Sequence, residues 1–101
     1  MPYLTSRVDS SRALVRHALD MAYGSYVEQE GKKADQWRDQ DVWTLFHHLE
    51  HELEEVRGNL GRGELGFLIH NTMDVIELGA ILLCKAEGLI ENIKEVRDAD
   101  A

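Results

Sequence analysis

The stretch Val42-Trp43-Thr44-Leu45-Phe46-His47-His48-Leu49-Glu50-His51-Glu52-Leu53-Glu54-Glu55-Val56-Arg57-Gly58-Asn59-Leu60 reads as one amphipathic helix. Val42, Leu45, Phe46, Leu49, Leu53, Val56 and Leu60 recur at three- and four-residue steps, which places them on one stripe of a 3.6-residue repeat. Asp41, just before the first apolar residue, is an N-cap in the making, because its carboxylate can accept from an otherwise orphaned N–H of the first turn. On a wheel centred on Glu52 the apolar stripe lies near ~70°. His48, Glu52, Glu55 and Asn59 form a polar stripe along its edge, so Glu52 and Glu55 are expected to flank the core face. Glu50 and Glu54 point to solvent.

The neighbouring segments follow the same logic. Val8, Leu14, Val15, Ala18, Leu19, Ala22, Tyr26 and Val27 predict a helix over about Asp9–Glu30, with Ser6 or Ser10 as cap and Gly31 as stop. Lys32 to Gln40 is a charged loop holding Trp37. Gly58 to Gly66 contains four glycines and reads as a turn, without the spacing of a phosphate-binding loop. About Leu65–Ala86 is a third helix, apolar on most of its circumference. Gly88 is expected to interrupt it, leaving a short helix over Leu89–Val96 and a frayed acidic tail over 97–101. These segments add up to an all-α fold of four helices in a single domain, 1–101. A helix apolar nearly all round must be covered on all sides, and three companions in so small a chain hardly suffice. The expectation is a bundle completed by self-association, as a homodimer or tetramer. Trp43, on the side away from the stripe, points the same way.

Composition narrows the classes. The 101 residues carry 11 Lys and Arg against 19 Asp and Glu, a formal charge of −8. That excess argues against a protein that grips a nucleic-acid polymer, since phosphate contacts call for Lys and Arg. The single cysteine, Cys84, excludes an internal disulfide and reads as a small core residue. The first residues lack an apolar signal core, and the longest unbroken apolar run, Leu78–Cys84 with Gly79 included, is short of a span of ~20 residues. A cytoplasmic protein without a membrane partner is expected.

The carboxylates carry the chemical signal. Glu52 and Glu55 sit one turn apart on one face, close enough to share a divalent cation. On the third helix Asn71, Asp74 and Glu77 step by three, and His70 and Asp74 by four, forming the one polar stripe of an apolar helix. Buried carboxylates without partners cost on the order of several kcal/mol, so two facing acidic stripes make sense with cations between them. His47, His51 and Glu55 also form a row at i, i+4 and i+8 that could hold zinc.

These residues resemble the all-α nucleoside triphosphate pyrophosphohydrolases of the MazG-like superfamily. That family carries Glu-Glu-x-x-Glu on one helix and Glu-x-x-Asp on the next. Here the motifs read His51-Glu52-Leu53-Glu54-Glu55 and Asn71-Thr72-Met73-Asp74, followed by Val75-Ile76-Glu77-Leu78, and Gln36-Trp37-Arg38 resembles the region before the first motif. The resemblance covers residues 37–87. It implies a hydrolase that cleaves a (d)NTP between its α- and β-phosphates, releasing (d)NMP and pyrophosphate. It implies Mg2+, with Mn2+ as a substitute, on Glu52, Glu55 and Asp74, and Glu52 or Glu55 as the base for water. His51 and Asn71 depart from the pattern. Asn71 offers one neutral oxygen, and Glu77 one turn beyond Asp74 can compensate. Trp37 is the candidate to stack on the base. Lys33, Arg38, Arg62 and Lys85 are candidates for phosphate contact, with Lys32 beside them. The alternative, motivated by Asn71, is a non-catalytic nucleotide- or metal-binding helical module.

Overall fold

A computed structural model describes the backbone of residues 2–33 and 36–100, and the side-chain surroundings of residues 6–30 and 36–88. Within these bounds the elements are all helical: α1 (Pro2–Lys33), a 3-10 turn (Gln36–Asp39), α2 (Val42–Arg62) and α3 (Leu65–Asp100). The all-α expectation holds, with three α-helices among the described residues instead of four. The chain divides into two compact units, 1–34 and 35–101.

The first unit is α1. It starts at Pro2, seven residues before the expected Asp9, so Ser6 and Ser10 lie inside the helix and cap nothing. Proline is tolerated in a first turn because the N–H it lacks would have no intrahelical acceptor there. The helix also runs through Gly31 to Lys33. A helical glycine costs only about 1 kcal/mol relative to alanine, which neighbouring residues can outweigh.

The second unit is a helical hairpin. Asp41 caps α2 as expected: its backbone is extended and its Oδ1 accepts from the Thr44 N–H at 2.9 Å. That hydrogen bond is the main reason its carboxyl is held below the ordinary value. The connection to α3 is far tighter than the expected Gly58–Gly66 turn. Gly58 and Gly61 are helical, and only Gly63 and Glu64 separate the two helices. Gly63 has φ 68°, the left-handed region that suits glycine. The Gly63 N–H donates to the Leu60 carbonyl at 3.4 Å and the Glu64 N–H to the Asn59 carbonyl at 2.9 Å, the paired closure of a Schellman motif. So short a link makes α2 and α3 antiparallel neighbours.

α3 runs unbroken for 36 residues, through Gly88 and the expected tail to Asp100. Ala86, Glu87 and Leu89 around Gly88 are good helix formers, and no proline intervenes. Ala101 lies outside the described residues. The segment Leu65–Gly88 is long and apolar enough to cross a membrane by length and composition. The sequence count missed this because it stopped at charged residues. Cys84, expected in the core, is exposed.

The face that α2 covers differs from the expected one. Leu45 (1% exposed), Glu52 (9%) and Asn59 (5%) are its buried residues, a line with a spacing of seven. Val42, Leu49 and Val56 beside them are half-buried. Phe46, Leu53 and Leu60, from the expected stripe, are exposed at 40%, 48% and 63%. The covered face is thus turned toward Glu52 by roughly half a quadrant. Glu52 belongs to the interior line and does not merely flank it. On α3, Leu78 is buried and Asn71, Asp74, Ile81 and Lys85 are half-buried, while Leu65, Ile69 and Leu83 are exposed.

Candidate functional site

The hairpin sets the site by register. Near the turn, the Asn71 side-chain amide donates to Asn59 Oδ1 at 2.7 Å, joining α3 to α2. Asn59 in turn donates to Glu64 Oε1 at 3.4 Å, and the Arg62 guanidinium donates to the same oxygen. Arg62, through this bond, is the main cause that holds the Glu64 carboxyl below its usual value. The buried Asn59 is therefore satisfied at both ends, as an interior amide must be.

One to two turns further from the hairpin tip lie the acids. Glu52 is the buried one. Its Oε2 is enclosed and has no hydrogen-bond partner, and its side chain is the least exposed of those in the described ion pairs. Burial is the largest influence on its carboxyl and pushes its proton affinity up; the charges of Glu55 and Asp74 and a side-chain hydrogen bond with Glu55 push the same way, and His48 opposes them. Glu55 from α2 and Asp74 from α3 therefore act on Glu52 as near negative neighbours. Of the sequence-predicted trio, Glu52 is buried, while Glu55 and Asp74 are half-buried and influence it electrostatically.

Each acid of the trio has a histidine one turn earlier on its own helix. His48 Nε2 lies 3.6 Å from Glu52 Oε1, His51 Nε2 lies 3.2 Å from Glu55 Oε1, and His70 Nε2 lies 3.7 Å from Asp74 Oδ2. The zinc row proposed from spacing, His47–His51–Glu55, splits instead. His47 pairs with Glu50 at 3.0 Å, and only His51 stays with Glu55. Among the described residues no three His, Cys, Asp or Glu side chains already converge on one ion-sized point.

The remaining candidates separate by position. Asn71 has its amide nitrogen committed to Asn59, which leaves its oxygen as the atom to offer a metal. Glu77 is half-buried one turn beyond Asp74. Trp37 (half-buried) and Arg38 (exposed) lie on the 3-10 turn. Lys85 donates to the Arg38 carbonyl, so its ammonium ties that turn to α3. Arg62 is engaged by Glu64. The side chains of Lys32 and Lys33 lie outside the described residues. Sequence reasoning missed the structural role of Asn59 and the tether from Lys85. The seven-residue spacing of Leu45, Glu52 and Asn59 is the signal that could have revealed the first; nothing local to Lys85 signals the second.

Comparison with protein-family profiles, with curated proteins and with solved structures found no match.

Proposed function

We propose that this chain is a Mg2+-dependent hydrolase that splits a nucleoside triphosphate between its α- and β-phosphates, giving the monophosphate and pyrophosphate. The observation that carries the reading is Glu52 Oε2, an enclosed carboxylate oxygen without a hydrogen-bond partner, beside Glu55 and Asp74. The charges of Glu55 and Asp74 make ionisation of the enclosed Glu52 harder, and a divalent cation is the ligand that turns this repulsion into attraction. Their all-oxygen donor set suits Mg2+, with Mn2+ as a substitute. When bound, the metal supplies charge neutralisation for the phosphates and a lowered pKa for water.

The chain's own residues do the rest. Glu52, Glu55 and Asp74 hold the ion, with the Asn71 oxygen and Glu77 at its margin. Glu52 or Glu55 takes the proton of the attacking water. Trp37 stacks on the nucleobase, and Arg38 meets phosphate from the same turn. Lys33, Arg62 and Lys85 remain proposed phosphate contacts, the last two requiring release from Glu64 and the Arg38 carbonyl.

We also read the chain as a homodimer or tetramer. The exposed Phe46–Leu53–Leu60 line on α2 and the exposed Leu65, Ile69 and Leu83 on α3 are the surfaces a second copy would cover. Asp74 and Glu77, in the middle of the long apolar segment of α3, favour this burial in protein over burial in lipid.

The test is release of pyrophosphate from a panel of standard and modified NTPs with Mg2+, lost in Glu52→Gln. A second reading is favoured by the Asn71–Asn59 bond, which uses a motif position for structure: a non-catalytic helical module that binds nucleotide or metal. Nucleotide binding without turnover across the panel would select it.

A further inference from the structure

Each of the two units carries an open surface, and each surface has the charge the other lacks. In the first unit every residue from Ser6 to Met21 is exposed, whereas Ala22 is buried and Ser25, Tyr26 and Gln29 are half-buried. Val8, Val15 and Leu19 continue the face of Ala22 and Tyr26 toward the N-terminus, at steps of seven, four, three and four residues. One face of α1 is thus covered at one end and bare at the other. The bare end forms a groove of about 570 Å3 lined by Val8, Val15 and Leu19 together with Arg7, Arg12 and Arg16. On a helical wheel Arg12 and Arg16 fall on one side of the apolar line and Arg7 on the other, while Asp9 and Asp20 lie roughly 100° or more away. The groove is therefore apolar along its middle and positive at its edges. Arg16 reaches Asp20 at 3.3 Å, and Arg7 and Arg12 have no ion-pair partner among the described residues.

The second unit offers the counterpart. Phe46, Leu53 and Leu60 form an exposed apolar line on α2 with the seven-residue step of Val8 and Val15. Exposed Glu50 and Glu54 lie on one flank of that line, and Arg57 on the same flank is held by Glu54 at 3.7 Å. At 1.5 Å per residue the two lines run about 17 Å and about 21 Å, a close match. Residues 1–34 carry five Lys and Arg against four Asp and Glu, net +1, and residues 35–101 carry six against fifteen, net −9. Two α1 grooves facing each other would oppose arginine to arginine, and two α2 lines would oppose Glu50 and Glu54 to themselves. Pairing one of each removes both conflicts.

We propose that two copies of this chain associate reciprocally, the α1 groove of each seating the Phe46–Leu53–Leu60 line of the other. This rests on the homo-oligomer reading above and names the two surfaces that meet. Burial of the apolar lines drives the association. Arginine against Glu50 and Glu54 selects the pairing over its like-with-like alternatives. The two contacts are equivalent and self-complementary, so the assembly closes as a dimer.

The experiment is sedimentation of the full chain at micromolar concentration, without metal or nucleotide. Wild-type protein is expected at a multiple of 11.5 kDa. The variant Arg7→Glu/Arg12→Glu/Arg16→Glu and the variant Glu50→Lys/Glu54→Lys are each expected to weaken association by about tenfold or more, through like-charge contact. Neither set includes a residue of the proposed catalytic site. An equimolar mixture of the two variants should regain wild-type association, because every contact then joins opposite charges. A mixture no tighter than its components overturns the proposal. Wild-type association of the arginine variant also overturns it, while leaving self-association through α2 alone in place. A wild-type mass of 11.5 kDa removes the proposal and the homo-oligomer reading together, so the two failures are distinct.

Discussion

Two parallel lines of residues on α2 invert the usual relation between polarity and burial. Leu45, Glu52 and Asn59 are covered, and two of the three are polar. Phe46, Leu53 and Leu60, one residue further along at each step, are wholly apolar and exposed. Burial of Glu52 opposes stability, since a carboxylate leaves water without a full set of partners. Exposure of the second line forgoes stability available at about 25 cal/mol per Å2 of apolar surface. A sequence optimised for a lone hairpin would exchange the two. The proposed metal chemistry would account for the enclosed acid of the covered line, and the proposed self-association for the exposure of the open one.

The most severe way to break this comparison is Glu52→Gln. Pyrophosphate release should fall by about two to three orders of magnitude, as expected when a charged group at the reacting centre is lost. The metal-free protein should become more stable, which thermal melting can read, because a neutral amide replaces a group that resists ionisation. The sign follows from linkage. A carboxyl whose folded-state proton affinity is raised contributes its stability below the unfolded value of about 4.5, and that contribution is lost as pH rises through the higher folded value. Wild-type protein without metal should therefore lose stability over that window, and Glu52→Gln should flatten this part of the profile. Identical melting profiles for the two proteins would show that Glu52 is not the strained acid.

The open line is tested by the pair Leu53→Glu and Leu60→Glu. Sedimentation should give a multiple of 11.5 kDa for the wild type and the monomer mass for the double variant. A wild-type mass of 11.5 kDa would remove the reason offered for that line's exposure.

A smaller effect sharpens the covered line at its polar end. Asn59→Leu or Asn71→Leu alone leaves the other amide unsatisfied and should cost about 1–3 kcal/mol in chemical denaturation. The double variant should cost less than the sum of the singles, because neither side of the 2.7 Å bond is then stranded. Strict additivity would mean that the bond contributes nothing to the hairpin. The smallest effect belongs to Gly63→Ala, which should cost about 1–2 kcal/mol because the left-handed backbone at φ 68° crowds a Cβ. An unchanged midpoint would argue that the turn relaxes.

Much of this was legible in residues met singly or at helical spacing. Asp41 declared the start of α2, because capping is a local property. The readings that failed depended on length and rotation. Gly31, Gly58, Gly61 and Gly88 suggested breaks that did not occur, since a glycine's cost of about 1 kcal/mol is outvoted by the helix around it. The wheel placed the core at the centre of the apolar stripe, and the packed face lay toward its polar edge.

Helix type, the cap at Asp41 and the pairing of acids one turn apart were determined by the sequence itself, because they depend on neighbours within four residues. That Glu52 is enclosed, that Asn71 spends its amide on Asn59 and that Lys85 reaches the Arg38 carbonyl were decided only by tertiary structure. These depend on the rotation of α2 against α3 about a two-residue turn, and a rotation is set by which faces of both helices fit together, not by the periodicity of either one.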